Sequence, residues 1–161
     1  MKEKLLIKKK ERLNYQKVAP NAFKGLIELD KYVQASNIGD KLYELVKMRA
    51  SQINGCAYCL DMHSKDARAG GETEQRLYGL NAWRETPFYS ERERAALAWT
   101  EALTEISINE VSDELYESVR EYFDEEEMVA LTMLIIAING WNRLAIPFRT
   151  EPGSYKPELD K

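Results

Sequence analysis

Apolar residues recur every three or four positions along most of the chain, and no stretch alternates convincingly with a period of two. This spacing is typical of amphipathic helices, because an α-helix completes a turn in about 3.6 residues. The pattern predicts helices at about residues 20–35, 40–52, 56–69, 73–83, 90–104, 112–123 and 125–144. The predicted fold class is therefore all-α, a compact helical bundle.

Local signals mark the ends of several of these helices. Residues 90–93 form a capping box, and residues 124–127 resemble a second one before the last helix. The dipeptide Asn54-Gly55 predicts a turn that ends one helix just before the next begins. The last helix is apolar nearly all round, so we expect it to be buried at the centre of the bundle or of a subunit interface.

The chain has the size and composition of one globular domain. Its 161 residues are 44% hydrophobic and 31% charged, and they contain no internal repeat or linker. We expect a single domain over residues 1–161, with its core at about residues 15–150. The tail over residues 150–161 contains Pro152, Gly153 and Pro157, which favour an extended or disordered segment.

Charge and hydropathy narrow the choice of partners and location. The chain has 23 Lys and Arg against 27 Asp and Glu, a formal net charge of −4, whereas nucleic-acid binding depends on clustered basic charge. The run Leu5-Leu6-Ile7 is too short for a secretory signal. The apolar stretch over residues 128–138 falls short of the ~20 residues of a membrane-spanning helix. We therefore expect a soluble, cytoplasmic protein that binds neither nucleic acid nor membrane.

The two cysteines of the chain, Cys56 and Cys59, form a C-x-x-C pair. In a reducing cytoplasm such a pair is rarely a structural disulfide. Zinc usually takes four ligands, and the chain offers two cysteines and one histidine, so a carboxylate or a second subunit would have to complete the site. A redox-active dithiol fits these residue types better.

The single histidine, His63, lies close to the cysteine pair. On one helix at about 100° per residue, Cys56, Cys59 and His63 fall within about 60° of arc. Cys56 also lies at the start of the helix, where unpaired backbone N–H groups and the helix dipole favour a thiolate. A lone histidine is more often structural, but this position beside the thiols favours a role in proton transfer.

A carboxylate upstream can join this cluster only if the chain folds back. Glu44 precedes Cys56 by twelve residues, which on a continuous helix is about 18 Å along the axis. The turn at Asn54-Gly55 lets the two helices pack against each other, so that Glu44 can point at His63 or Cys59. Without that turn, Glu44 is interpreted as an ordinary surface acid.

These four residues carry a resemblance to a known family. Glu44, Cys56, Cys59 and His63 reproduce the pattern E-x11-C-x2-C-x3-H. Further runs typical of one subgroup lie at residues 45–55, 61–68, 71–74, 91–97 and 139–144. Over about residues 15–150 the chain resembles the alkylhydroperoxidase D branch of the carboxymuconolactone decarboxylase family.

The resemblance implies an all-α antioxidant fold, an obligate homo-oligomer (trimer or hexamer), and thiol-dependent reduction of hydroperoxides. Cys59 would be the peroxidatic thiol and Cys56 the resolving thiol, with Glu44 and His63 in a proton relay. The implied partners are a hydroperoxide substrate and an external thiol or dithiol reductant, with no bound cofactor or metal. The best-studied branch has a histidine immediately before the second cysteine, where this chain has Tyr58.

Two other functions stay open at this point. The first is a general dithiol–disulfide oxidoreductase acting on proteins. The second is a non-catalytic oligomeric module that senses redox state or binds a ligand, with aromatic residues lining a pocket or an interface. We expect ordinary core packing for most of these aromatic residues, which are Trp83, Trp99, Trp141, Tyr78 and Phe88. Arg143 is expected to make an ion pair or an interface contact.

Overall fold

A computed structural model describes residues 10–157 of the chain. Within that range it contains eight α-helices and one 3-10 helix, and no strand, so the all-α prediction is confirmed. The α-helices are α1 (Tyr15–Val18), α2 (Lys24–Gln34), α3 (Asp40–Asn54), α4 (Ala57–Ala69), α5 (Glu74–Gly79), α6 (Glu91–Thr104), α7 (Asp113–Arg120) and α8 (Glu125–Phe148). The 3-10 helix spans Leu80–Glu85. The run Leu5-Leu6-Ile7 and the end of the tail lie outside the described residues.

The polar signals at the helix ends act as the sequence predicts. The side chains of Ser90 and Asp124 each accept a hydrogen bond from the backbone N–H three residues on, and the backbone N–H of each donates to the side chain of the glutamate at that position. Two capping boxes therefore begin α6 and α8, as expected. Gly55 ends α3 in the left-handed region at φ 69°, which L side chains rarely adopt.

Three predicted helices differ in their bounds. The helix expected over residues 20–35 begins only at Lys24, after a turn. The helix expected over residues 73–83 changes from α5 to a 3-10 helix, with Ala82 in a non-helical conformation. The last helix continues through Pro147, which removes one backbone donor but lies one residue before the helix ends at Phe148.

Helix α8 runs through the centre of the bundle and packs against α2, α3, α4 and α6. Leu131, Leu134 and Ile138 are fully buried, as expected for a helix that is apolar nearly all round. Gly140 allows α2 to approach closely, because a Cβ atom there would lie 2.8 Å from Leu26 Cδ2.

By length and composition alone, α8 could also cross a membrane, since its 24 residues exceed the apolar stretch seen in the sequence. Central helices of soluble bundles pass the same test. The packing of α8 is that of such a core helix and supports a soluble protein, while a cytoplasmic location stays a prediction.

The aromatic residues do not all behave alike. Trp83 and Trp99 are buried in the core as expected. Tyr78 is 77% exposed, contrary to the expected core packing, because it lies on the outer face of the short helix α5. Its hydroxyl contacts the Glu74 carboxylate one turn earlier on that surface. The core therefore depends on the tryptophans rather than on this tyrosine.

Candidate functional site

The cysteine pair lies at the turn between α3 and α4. The Cys56 N–H donates to the Ser51 carbonyl over 3.0 Å, which closes the end of α3 around Gly55. Helix α4 then begins at Ala57, and Cys56 is its N-cap residue. This turn folds α4 back against α3, as the Asn54-Gly55 dipeptide predicts.

The two sulfurs are bonded to each other and covered by the protein. Cys56 and Cys59 form a disulfide with Cα atoms 5.4 Å apart, and each residue is 1% exposed. The Cys59 N–H donates to Cys56 Sγ over 3.3 Å, so the Cys56 sulfur caps α4. Ile138 and Ala145 of α8 pack against the pair. The helix start therefore favours negative charge at the Cys56 sulfur when the pair is reduced.

The structure brings Glu44 and His63 into direct contact across the α3–α4 interface. Glu44 Oε2 lies 2.8 Å from His63 Nδ1, and the imidazole is buried. His63 Nε2 is also buried and has no hydrogen-bond partner among the described residues. In the neutral imidazole, the Glu44 carboxylate holds the proton on Nδ1 and leaves Nε2 as a proton acceptor. Glu44 and His63 thus meet across the two helices that flank the cysteine turn, and His63 lies one helical turn after Cys59, although the catalytic roles of the four residues stay predictions.

A cavity of about 610 Å³ reaches the acid–imidazole pair. Glu44 and His63 contribute to its wall, and the described lining residues include neither cysteine. Tyr155 of the C-terminal tail also lines the cavity, and its hydroxyl donates to Asp66 over 2.8 Å. The cavity therefore gives solvent a path toward Glu44 and His63 rather than directly to the sulfurs.

Sequence reasoning missed a second polar cluster on the cavity wall. Lys47 is buried and its Nζ lies 2.6 Å from Asp30 Oδ1, while the Trp141 indole N–H donates to Asp30 Oδ2 over 2.6 Å. Burial and the Asp30 charge raise the pKa of Tyr43, so its hydroxyl stays protonated and donates to Asp30. The sequence did offer a signal for this cluster, because Lys47 lies within the apolar stripe of α3 and a buried lysine needs an acidic partner.

One group of described residues could hold a metal ion, and it does not contain the cysteines. Glu44, His63 and Asp66 each offer a ligand atom, and these atoms lie within 4.8 Å of one another. Such oxygen and nitrogen donors suit a divalent cation. A metal bound there would be held in part by Glu44 and His63, the same two side chains that contact each other. The prediction that the protein uses no metal stays a prediction.

A helical bundle with a C-x-x-C turn, and with an acid–imidazole pair formed between the two helices that flank this turn, defines a class of protein. The model of the carboxymuconolactone decarboxylase family matches residues 20–102, which include all four site residues. The chain belongs to this family, in its alkylhydroperoxidase D-like branch.

Individual relatives agree with this assignment. The chain is 49% identical over 136 residues to the uncharacterized protein YdfG of Bacillus subtilis, covering 84% of this chain and 92% of that protein. A crystal structure from Agrobacterium tumefaciens, of a protein of unknown function named as a candidate antioxidant defence protein AhpD, is 44% identical with a TM-score of 0.87. That match covers 91% of this chain and 100% of the other.

A more distant structure has the same fold and a different named activity. The debrominase Bmp8 has a TM-score of 0.77 at 22% identity, over 86% of this chain and 74% of that one. One of its structures contains 2,3,4-tribromopyrrole. At this identity the match supports the fold alone, so the chemistry of this chain has to be argued from its own residues.

Proposed function

We propose that the protein is a thiol-dependent peroxidase that reduces hydroperoxides in antioxidant defence. The observation that carries this proposal is the 2.8 Å contact between Glu44 and His63, one helical turn after the Cys59 thiol. A buried imidazole oriented by a carboxylate, four residues after a cysteine on the same helix, is an arrangement suited to proton transfer. Membership of the alkylhydroperoxidase D-like branch supports the same chemistry.

The reaction balances with two thiols and one hydroperoxide. The Cys59 thiolate attacks the O–O bond, which gives a sulfenic acid on Cys59 and an alkoxide that leaves as the alcohol after taking a proton. The Cys56 thiol then attacks the sulfenic sulfur, releasing water and forming the Cys56–Cys59 disulfide. An external dithiol reduces this disulfide and is itself oxidised. No bound cofactor is needed.

His63 and Glu44 handle the protons of this cycle. A free thiol is only a few per cent ionised at neutral pH, because its pKa is about 8.5. His63 Nε2 accepts the Cys59 proton and returns it to the departing alkoxide. Glu44 holds the opposite ring nitrogen, which fixes the tautomer and stabilises the charged imidazole.

The buried sulfurs set a condition on substrate entry. Each cysteine is 1% exposed, so a hydroperoxide reaches Cys59 only after the covering side chains move. Tyr58 packs against the group of buried residues that contains both cysteines, and it stands at the position where the best-studied branch has a histidine. We therefore assign Tyr58 to the cover over the sulfurs, with His63 as the imidazole of the relay.

One observation favours a second candidate, a general dithiol–disulfide oxidoreductase. The Cys56 sulfur caps α4 and accepts the Cys59 N–H, so the helix start favours Cys56 as the thiolate. In that function Cys56 attacks a protein disulfide and Cys59 resolves the mixed disulfide. Trapping distinguishes the two, because a peroxidase accumulates sulfenic acid on Cys59 whereas an oxidoreductase accumulates a mixed disulfide on Cys56.

We also propose that the protein works as a homo-oligomer, a trimer or hexamer as the family resemblance implies. Val129 and Ile136 of α8 are 56% and 50% exposed and lie seven residues apart, on one side of the helix. A second copy of the chain would cover these apolar side chains. Light scattering of the wild type and of a Val129→Asp, Ile136→Asp variant tests this, since a monomeric wild type contradicts it.

Peroxide consumption with excess dithiothreitol tests the main proposal. Cys59→Ser abolishes turnover. Cys56→Ser, reduced beforehand and then freed of dithiothreitol, consumes one equivalent of peroxide and stops, because no second thiol is present to resolve the sulfenic acid. Glu44→Gln slows the reaction while the protein stays folded. The matched control is Thr132→Val on α8. This variant removes the acceptor of the hydrogen bond from the Trp99 indole N–H of α6, and it retains turnover. Multiple turnovers by Cys59→Ser would reject the assignment.

A further inference from the structure

A network of amide and hydroxyl side chains, joined by Arg143, ties the cysteine turn to α8, and none of its members has a role in the proposed peroxidase steps. Asn54, the last residue of α3, donates both amide hydrogens, to Asn139 Oδ1 over 3.0 Å and to Asn142 Oδ1 over 2.8 Å. Asn142 in turn donates to Ser51 Oγ over 3.1 Å. These bonds account for two residues of the 139–144 run that the sequence singled out.

The network is saturated with hydrogen bonds. The Asn139 amide donates to Thr104 Oγ1 over 3.2 Å and to the Ile135 carbonyl over 2.9 Å. Arg143, expected to make an ion pair or an interface contact, donates to Asn139 Oδ1 over 3.0 Å. Asn139 and Asn142 are both buried. A buried polar network whose members all have partners is rigid, since breaking any bond leaves an unpaired polar group.

The network meets the cysteines through Ser51. The Ser51 hydroxyl accepts from Asn142, and the Ser51 carbonyl accepts from the Cys56 N–H over 3.0 Å. Ile138 and Ala145, which flank the network residues on α8, pack against the two cysteines. The same helical turns of α8 thus fix the backbone before Cys56 and the wall around both sulfurs.

We propose that Asn54 and Asn142 are positioning residues that set the reduction potential of the Cys56–Cys59 pair. This inference rests on the redox function proposed above. The disulfide fixes the turn covalently, whereas the reduced pair depends on surrounding contacts to keep the Cys56 thiol facing the Cys59 thiol. Removing the network lets the two thiols of the reduced form move apart, which lowers their effective concentration for disulfide formation. The disulfide therefore becomes easier to reduce.

The test is an equilibrium titration of the pair against reduced and oxidised dithiothreitol, read by thiol alkylation and mass. In Asn142→Ala, the equilibrium constant for disulfide formation falls about tenfold, a potential about 30 mV less negative. Asn54→Ala, at the exit of α3, gives a shift in the same direction and serves if Asn142→Ala does not fold. The double variant shifts no further than the larger single variant, because both remove the same contacts.

The matched control is Thr132→Val, also on α8. It leaves the Trp99 indole N–H unpaired, a loss of one hydrogen bond that is comparable to the loss in the asparagine variants. Trp99 and Thr132 lie outside the group of buried residues that contains both cysteines. The equilibrium constant for disulfide formation in Thr132→Val stays within twofold of the wild-type value. An unchanged or more negative potential in the asparagine variants, or an equal shift in Thr132→Val, overturns the inference. A wild-type pair that does not exchange with dithiothreitol would instead reject the proposed function, so the two failures are distinguishable.

Discussion

Two of the polar junctions that fasten helix α3 to the rest of the bundle are of opposite character. Near its middle, Arg49 donates to Glu101 of α6 over 2.8 Å, and the same carboxylate accepts the Trp83 indole N–H over 2.8 Å and a contact from Arg84. Near its end, Asn54 joins α8 through amide groups alone. The first junction is ionic, and the second carries no formal charge on the residues of α3 and α8 that it links.

The difference follows from what lies beside each junction. A fixed charge next to a thiol changes how readily that thiol ionises, and the amide junction adjoins the turn that carries Cys56. Asparagine side chains bind the two helices together there and add no charge of their own, although Arg143 donates to Asn139 from one turn further along α8. The ionic junction has no such neighbour and can use the stronger, charge-assisted hydrogen bonds.

The largest expected effect is a loss of stability when the ionic junction is broken. Glu101→Gln leaves Arg49 and Trp83 facing a side chain that cannot satisfy both, so we expect a loss of about 3 kcal/mol in the free energy of unfolding at pH 7. Urea denaturation measures it. Glu121→Gln, an exposed acid after α7, is the control and changes stability by less than about 0.5 kcal/mol. Equal losses in the two variants would show that the ionic junction contributes little.

Acid should weaken the ionic junction and spare the amide one. Burial alone would raise the pKa of Glu101, but hydrogen bonds from Trp83, Arg84 and Arg49 outweigh it and hold this pKa below 4.5. The stabilisation is therefore complete above about pH 4.5 and is lost as the pH falls through the lowered pKa. Urea midpoints at neutral and acidic pH should show the Glu101→Gln deficit shrinking in acid.

Asn142→Ala is the comparison for that measurement. It should cost about 2 kcal/mol at both pH values, because it leaves uncharged polar groups of Asn54 and Ser51 unpaired. A deficit for Asn142→Ala that shrinks in acid as much as that of Glu101→Gln would remove the distinction between the two junctions.

The smallest expected effect lies within the ionic junction itself. The Arg84 side chain is 56% exposed whereas that of Arg49 is 13% exposed, although both contact Glu101. Solvent screens an exposed pair, so Arg84→Ala should cost less than about 1 kcal/mol. Arg49→Ala, the buried counterpart, should cost more. Similar losses in thermal unfolding would mean that burial does not decide the strength of these contacts.

Local features of the chain were readable from the sequence. The apolar period predicted the helices, and Ser90, Asp124 and Gly55 fixed three boundaries because capping and turn chemistry act within a few residues. The Glu44–His63 contact followed from the turn at Gly55 together with the family pattern.

Contacts between residues far apart in the sequence could not be predicted from it. Asp30 and Trp141 are 111 residues apart, and Asn54 and Asn142 are 88 apart, so no local pattern pairs them. The helix start predicted at Pro20 was also wrong, because proline favours a first helical turn but equally favours the turn that precedes α2 here.

Because Cys56 is the N-cap residue of α4, the oxidation state of its sulfur affects a backbone hydrogen bond. One sulfur atom is both the acceptor for the Cys59 amide and the partner in the disulfide. A thiolate accepts a hydrogen bond more strongly than a disulfide sulfur does. The Cys59 amide proton is therefore an intrinsic spectroscopic reporter, whose chemical shift follows the oxidation state of the pair without any added label.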